Sequence, residues 1–174
     1  MNNQVLESLK TRRSVRRYSD KPVEQERLDA IMEAATYAPT GMGKQSPTIV
    51  LVKNKEVRDK ISAMNAKVMG SDMDPFYGAP VVAIVFGNKA TIPTWYEDAA
   101  LVAGNLVNAA HAVGVDSCYI WRAKEVFESE EGLALLKEWG LDENYIGVAN
   151  CILGYGEGEA PAAKERKADY VIEV

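Results

Sequence analysis

The sequence predicts an α/β sandwich of the α+β kind, in which helices flank both faces of a central, mixed and mostly antiparallel sheet, as a single domain over residues 1–174. Three observations lead there. Strand-like and helix-like segments alternate along the chain, Val81 to Phe86 is apolar on both of its faces, and the helical segment Asp98 to Val113 is apolar nearly all the way round. A strand with two apolar faces needs cover above and below, and a helix without a polar side belongs in a core or a subunit interface. With 174 residues, 47% of them hydrophobic and 26% charged, the chain is long enough and apolar enough to bury a core of that kind.

Each element has its own signal. Val5, Leu6 and Leu9 fall on one side of a short helix from Gln4 to Leu9, which runs into the charged segment Lys10 to Arg17. Asp20 to Glu24 reads as a turn into a second helix carrying Leu28, Ile31, Met32 and Ala35 at helical spacing, and Pro39 requires it to end. Ala38 to Gly43 is a loop. Thr48 to Val52 is rich in β-branched residues and predicts a strand, and Lys55 to Met69 alternates charge and hydrophobicity with helical period. Gly70 to Gly78, rich in Asp, Ser, Pro and Gly, predicts a mobile surface loop. After the strand at Val81–Phe86 and the long helix, Val115 to Trp121 and Tyr145 to Leu153 are further strands with a helix near Gly132 to Trp139 between them. Ala168 to Val174 predicts a closing strand at Tyr170-Val171-Ile172.

Composition removes several kinds of chemistry. Twenty basic against 25 acidic residues give a net charge of -5, which is wrong for a phosphate-neutralising nucleic-acid binder. The longest wholly apolar stretch, Ala79 to Phe86, is far short of the ~20 residues that cross a bilayer. No membrane association is expected. The polar start Met1-Asn2-Asn3-Gln4 lacks a signal-peptide core, so the expected location is cytoplasmic. Cys118 and Cys151 sit in apolar runs and read as packed thiols, not as a disulfide. The single histidine, His111, lies among small apolar residues of the long helix, so neither a metal cluster nor a Ser-His-Asp triad is available. Gly41-Met42-Gly43-Lys44-Gln45 lacks the leading glycine and the final Ser or Thr of a phosphate loop. Gly154-Tyr155-Gly156-Glu157-Gly158 lacks the third glycine of a dinucleotide fingerprint.

Against that acidic background, Lys10-Thr11-Arg12-Arg13-Ser14-Val15-Arg16-Arg17 carries five positive charges and no acid. A solvated helix end would account for it, since cations favour helix C-termini. So would an anion clamp, because the planar Arg fork matches phosphate oxygens and Ser14 adds a hydroxyl donor. Lys164-Glu165-Arg166-Lys167, a polar tail by itself, could close round the same phosphate from the other end of the chain.

Taken together, Arg12-Arg13-Ser14-Val15-Arg16, Ala38-Pro39-Thr40-Gly41-Met42-Gly43-Lys44-Gln45, Phe76-Tyr77-Gly78-Ala79-Pro80, Gly114-Val115-Asp116-Ser117-Cys118 and Ile152-Leu153-Gly154-Tyr155-Gly156 leading to Lys164-x-Arg166 resemble, in order and spacing, the FMN-dependent nitroreductase family. The resemblance implies an intertwined homodimer with two flavin sites at its interface. It implies that Arg12, Arg13, Ser14, Lys164 and Arg166 hold the FMN phosphate and that Arg16 lies near the pyrimidine edge of the ring. It also implies that Pro39, Thr40 and Gly41 cover the ring from the partner subunit with Gln45 nearby, and that Trp121 and Arg122 pass beside it. The activity it implies is ping-pong transfer of electrons from NADH or NADPH to a nitroaromatic, quinone or similar small acceptor. No catalytic nucleophile is then needed, since the flavin carries the hydride chemistry. The sequence departs from the family pattern at Gly43, at Ser46-Pro47 and at Gly156, where a looser turn is expected. The departures leave open a flavin-binding protein for storage, sensing or specialised flavin chemistry without nitroreductase turnover. A helical interaction protein using Asp98–Val113 as its dimer face is the reading without flavin.

Overall fold

A computed structural model describes residues 3–174; the start of the polar segment, Met1-Asn2, lies outside the described residues. In chain order the elements are α1 (Gln4–Thr11), α2 (Gln25–Thr36), β1 (Pro47–Val52), α3 (Lys55–Met69), β2 (Val81–Asn88), α4 (Trp95–Ala112), β3 (Asp116–Ile120), α5 (Ala123–Glu128), α6 (Glu130–Glu138) and β4 (Tyr145–Gly154). The sheet has four strands in the order β1-β2-β4-β3, and all three pairings are antiparallel. β2 and β4 are interior, which explains the apolar character of both their faces.

The two faces carry separate cores. On one, Leu28, Ile31 and Ala35 of α2 and Val102, Leu106 and Ala110 of α4 pack on Ala83, Val85, Ala149 and Cys151. On the other, Ile61 and Met64 of α3, Phe127 of α5 and Leu135 and Leu136 of α6 pack on Val82, Ile84, Phe86 and Ile152. Phe86 and Phe127 meet edge to face with centroids 4.9 Å apart, an arrangement that adds to the stabilisation from burial alone. α5 can sit tightly against β4 because Gly147 has no side chain: a Cβ there would lie 2.5 Å from the Ala123 carbonyl.

The two ends of the chain are brought together by the β3 edge. Asn3 caps α1 through its side-chain oxygen, 2.9 Å from Val5 N, and α1 ends beside α4, where the Thr11 hydroxyl lies 2.9 Å from His111 Nε2. The chain then runs along β3 through a parallel bridge between Ser14 and Ser117, with Val15 N donating to the Ser117 carbonyl at 3.1 Å. Tyr18 bridges Gly156, and Glu157 N donates to the Arg17 carbonyl at 3.0 Å. The basic segment is thus sewn between the start of β3 and the exit of β4.

Three expectations are corrected. Residues 168–174 form no strand; they are exposed, with no ladder partner among the described residues. The six-residue helix α5 was not expected; it is short and shares Ser129 as a boundary with α6. Ala99, Val102, Ala103, Leu106, Val107 and Ala110 of α4 face the core, and Leu101 lies on the outer side of the helix. The segment 70–78 is anchored, because Asp74 accepts from Phe76 N at 2.9 Å, Gly78 N at 2.7 Å, Arg58 Nη2 at 2.9 Å and the Ser62 hydroxyl, and Phe76 is fully buried. Among the described residues no helix is long and apolar enough to cross a membrane.

Candidate functional site

Arg12, Arg13, Ser14 and Arg16 line one cleft of about 660 Å³ together with Lys164 and Arg166. The bridge at Ser14 holds the first group, and the return of the chain past Tyr18 and Glu157 delivers the second. Among the described residues no carboxylate lines the cleft. Lys10 at its rim pairs with Glu7 at 2.5 Å and Arg17 pairs with Glu157 at 2.8 Å. Among the described residues Arg12, Arg13, Arg16, Lys164 and Arg166 form no ion pair, and the side chains of Arg13, Arg16 and Arg166 donate to main-chain carbonyls. Arg13 donates to Lys10 O at 2.8 Å and Arg12 O at 2.7 Å, and Arg166 to Lys164 O at 2.8 Å. Five uncompensated cations and a hydroxyl, converging on one concave surface, are the donor set of a phosphate site.

Beneath the cleft, Tyr18 is buried and its hydroxyl donates to Val15 O at 2.9 Å; burial drives its pKa above the ordinary tyrosine range. Burial also pushes the Cys118 thiol up, against the opposing pull of Arg16, Ser14 and Arg12 nearby. A thiol so placed is packing, not a nucleophile. A second cleft of similar volume runs along α3 past Arg58, Asp59, Ser62 and Asp74. Its Arg58, Asp59 and Asp74 are spent on one another, since Arg58 pairs with both carboxylates at 2.9 Å.

Trp121 and Arg122 lie at the opposite end of β3 from the bridge at Ser117. Trp121 is exposed and Arg122 is left-handed at φ 74°. The Trp121 carbonyl turns inward, accepting from Asn65 Nδ2 at 2.9 Å and Asn150 Nδ2 at 3.4 Å.

The Pro39–Gln45 loop is elsewhere. It leads into β1, the edge strand opposite β3, so about three strand spacings, roughly 14 Å, separate the two edges. Pro39 is exposed after α2, and Thr40 and Gln45 border a smaller apolar cavity of about 330 Å³ with Met32, Ile49 and Val102. Buried Asp98, at the start of α4, pins the loop at both ends: one carboxylate oxygen accepts from Gly41 N and the other from the Ser46 hydroxyl, each at 2.9 Å. Gly41 packs closely on α4, for a Cβ there would lie 2.2 Å from Thr94 Oγ1 and displace that side chain. A single chain therefore unites the two cationic segments but not the loop with them.

The sequence reading missed Asn65, Asn150, Asp98 and Asp116. The last accepts from Gly156 N at 2.8 Å, which ties down the turn expected to be loose. An asparagine in the middle of the otherwise apolar Val148–Leu153 run was the one signal available.

Residues 9–70 match the model of the Nitroreductase family. A Methanothermobacter thermautotrophicus protein named "Putative NADH dehydrogenase/NAD(P)H nitroreductase" is 31% identical over 166 residues, 92% of this chain and 81% of that protein. The structure of a Bacteroides fragilis nitroreductase with bound FMN superimposes with a TM-score of 0.90 at 29% identity, over 99% of this chain and 100% of that one. An FMN-bound nitroreductase from Desulfitobacterium hafniense gives 0.86 at 25% identity, with both chains covered in full. The family match begins just ahead of the Arg-rich segment and ends beyond the Pro39–Gln45 loop, and the relative's similarity runs on through β4 and most of the chain. On that agreement of motif, fold and length, the chain belongs to the nitroreductase family.

Proposed function

We propose that this chain is a single-domain FMN-binding oxidoreductase over residues 1–174. It draws electrons from NADH or NADPH and passes them to a nitroaromatic, quinone or similar small acceptor in ping-pong fashion. The observation that carries this reading is the cleft in which Arg12, Arg13, Ser14, Arg16, Lys164 and Arg166 converge without a carboxylate. That donor set fits a phosphate monoester dianion. The nitroreductases from Bacteroides fragilis and Desulfitobacterium hafniense with bound FMN support the same cofactor.

When bound, FMN supplies the hydride and electron chemistry, and the protein supplies binding, orientation and electrostatics. Arg12, Arg13, Ser14, Lys164 and Arg166 hold the phosphate. Arg16 is a fixed cation for the negative charge that collects on the ring's pyrimidine edge upon reduction, which favours the reduced form. Trp121 and Arg122 border the ring. Pro39, Thr40, Gly41 and Gln45 come from a second copy, because they lie at the far sheet edge of their own chain. The homodimer is further supported by α1, whose Val5, Leu6 and Leu9 are exposed, and by the exposed Tyr170, Val171 and Ile172. The reaction belongs to the cytoplasm.

The test is direct. Purified protein is yellow or becomes so on adding FMN; a colourless protein that takes up none refutes the proposal. Rapid mixing with NADH or NADPH bleaches the oxidised flavin band, and a quinone or nitroaromatic restores it. Stable flavin binding without bleaching favours a storage or sensing role instead. Light scattering gives a dimer mass, and a monomer at micromolar concentration contradicts the shared site.

A further inference from the structure

Asn150 stands in the middle of β4, an interior strand, opposite Ile84 on one side and Ile120 on the other. It is fully buried and its Oδ1 has no hydrogen-bond partner among the described residues. Asn65, on the core side of α3, is also fully buried. An apolar residue would be the ordinary occupant of either position, since buried amides cost free energy unless fully bonded. Arg122 takes a left-handed backbone that a non-glycine residue adopts at a cost. These three unfavourable features meet at one peptide group. Both amides donate to the Trp121 carbonyl, and Arg122 Nε returns a bond to Asn65 Oδ1 at 3.0 Å.

The peptide is trans and planar, so a carbonyl held inward sends the next N–H outward. The Arg122 N–H accordingly has no acceptor among the described residues. It lies five residues along β3 from Ser117, where Ser14 is bridged. At ~3.3 Å per residue that is about 16 Å from the phosphate donors, on the scale of an extended ribityl chain and its ring.

We propose that Asn65 and Asn150 are positioning residues for the flavin: they lock the Trp121–Arg122 peptide so that the Arg122 N–H faces the ring. This rests on the FMN reading. Asn65 acts twice, on the carbonyl and on the Arg122 side chain, and Asn150 completes the lock from the sheet. Costly buried polarity is retained because a freely rotating peptide would present either its donor or its acceptor to the flavin.

Amide NMR of isotopically labelled protein, stripped of FMN and then reloaded, tests it. In the wild type, loading shifts the amides of Ser14 and Lys164 and moves that of Arg122 downfield. In Asn65→Leu/Asn150→Leu the Ser14 and Lys164 shifts persist and the Arg122 shift is lost. An Arg122 shift retained in the double variant, or absent from the wild type while Ser14 and Lys164 respond, overturns the proposal. If none of the three amides responds, the FMN reading fails and takes the proposal with it. Should the double variant not fold, Asn65→Leu alone gives the same reading, and the wild-type comparison stands regardless.

Discussion

Replacing Arg12 by alanine removes one guanidinium from the cleft and leaves the strand pairing around it untouched, because the Ser14–Ser117 bridge and the Val15 N–Ser117 O bond are main-chain interactions. Arg12 makes no ion pair among the described residues, so little folded-state energy is lost with it. A hydrogen bond to a charged group is worth about 1.5–3 kcal/mol, which corresponds to a loss of roughly 10- to 150-fold in affinity. Arg12 is only half-buried in a cleft open to water, and solvent screening puts the expected loss at the lower end, about 10- to 30-fold. Fluorescence titration of stripped protein measures it, with riboflavin as the control. Riboflavin has the ring but no phosphate, so its affinity should be the same in wild type and variant. An unchanged FMN affinity, or an equal weakening of both flavins, would refute the assignment of Arg12 to the phosphate.

Asp74→Ala should cost about 2 kcal/mol in chemical denaturation, reduced from a fully buried pair because Asp74 is 40% exposed while Arg58 is only 8% exposed. Burial alone would raise the Asp74 pKa, but bonds from Ser62, Arg58, Gly78 N and Phe76 N overcome it and hold the carboxyl below its ordinary 3.8. The stability it contributes is therefore complete above that ordinary value and is lost as the pH falls through the lower, folded one. A variant whose acid unfolding curve matches the wild type would contradict this. Asp98→Ala strands Gly41 N and the Ser46 hydroxyl, and should lower stability by about 1–3 kcal/mol; an unaltered melting temperature would show that the loop does not depend on it. Neither cysteine should react with a thiol reagent in the native protein at pH 8, since burial pushes Cys151 up to about 12 and raises Cys118 as well. Both should react in denaturant, and native labelling would contradict the packing described.

Much of the fold was legible because burial leaves a periodic trace. Val81–Phe86 could be read as an interior strand from its two apolar faces, and Lys55–Met69 coincides with α3 residue for residue. The elements that were misread depend on partners distant in sequence. Tyr170-Val171-Ile172 has strand composition, but no strand edge among the described residues receives it. The 70–78 segment has loop composition, yet Arg58 and Ser62 from α3 anchor it through Asp74. At the site, the two basic runs stood out as charge anomalies, and the structure unites them. Asp98, Asn65 and Asn150 left no comparable trace, because each acts through a main-chain group or loop whose position follows only from the tertiary fold.

The central claim is that cations from both extremities of the chain surround the phosphate of one FMN. Phosphorus NMR of the bound cofactor reads that environment without reference to activity. A phosphate monoester has its second pKa near about 6, and a cluster of positive charge lowers it. The account predicts that the bound resonance stays at the dianion position from about pH 5 to pH 8, while free FMN titrates across the same range. A bound phosphate that titrates like the free one would contradict the account.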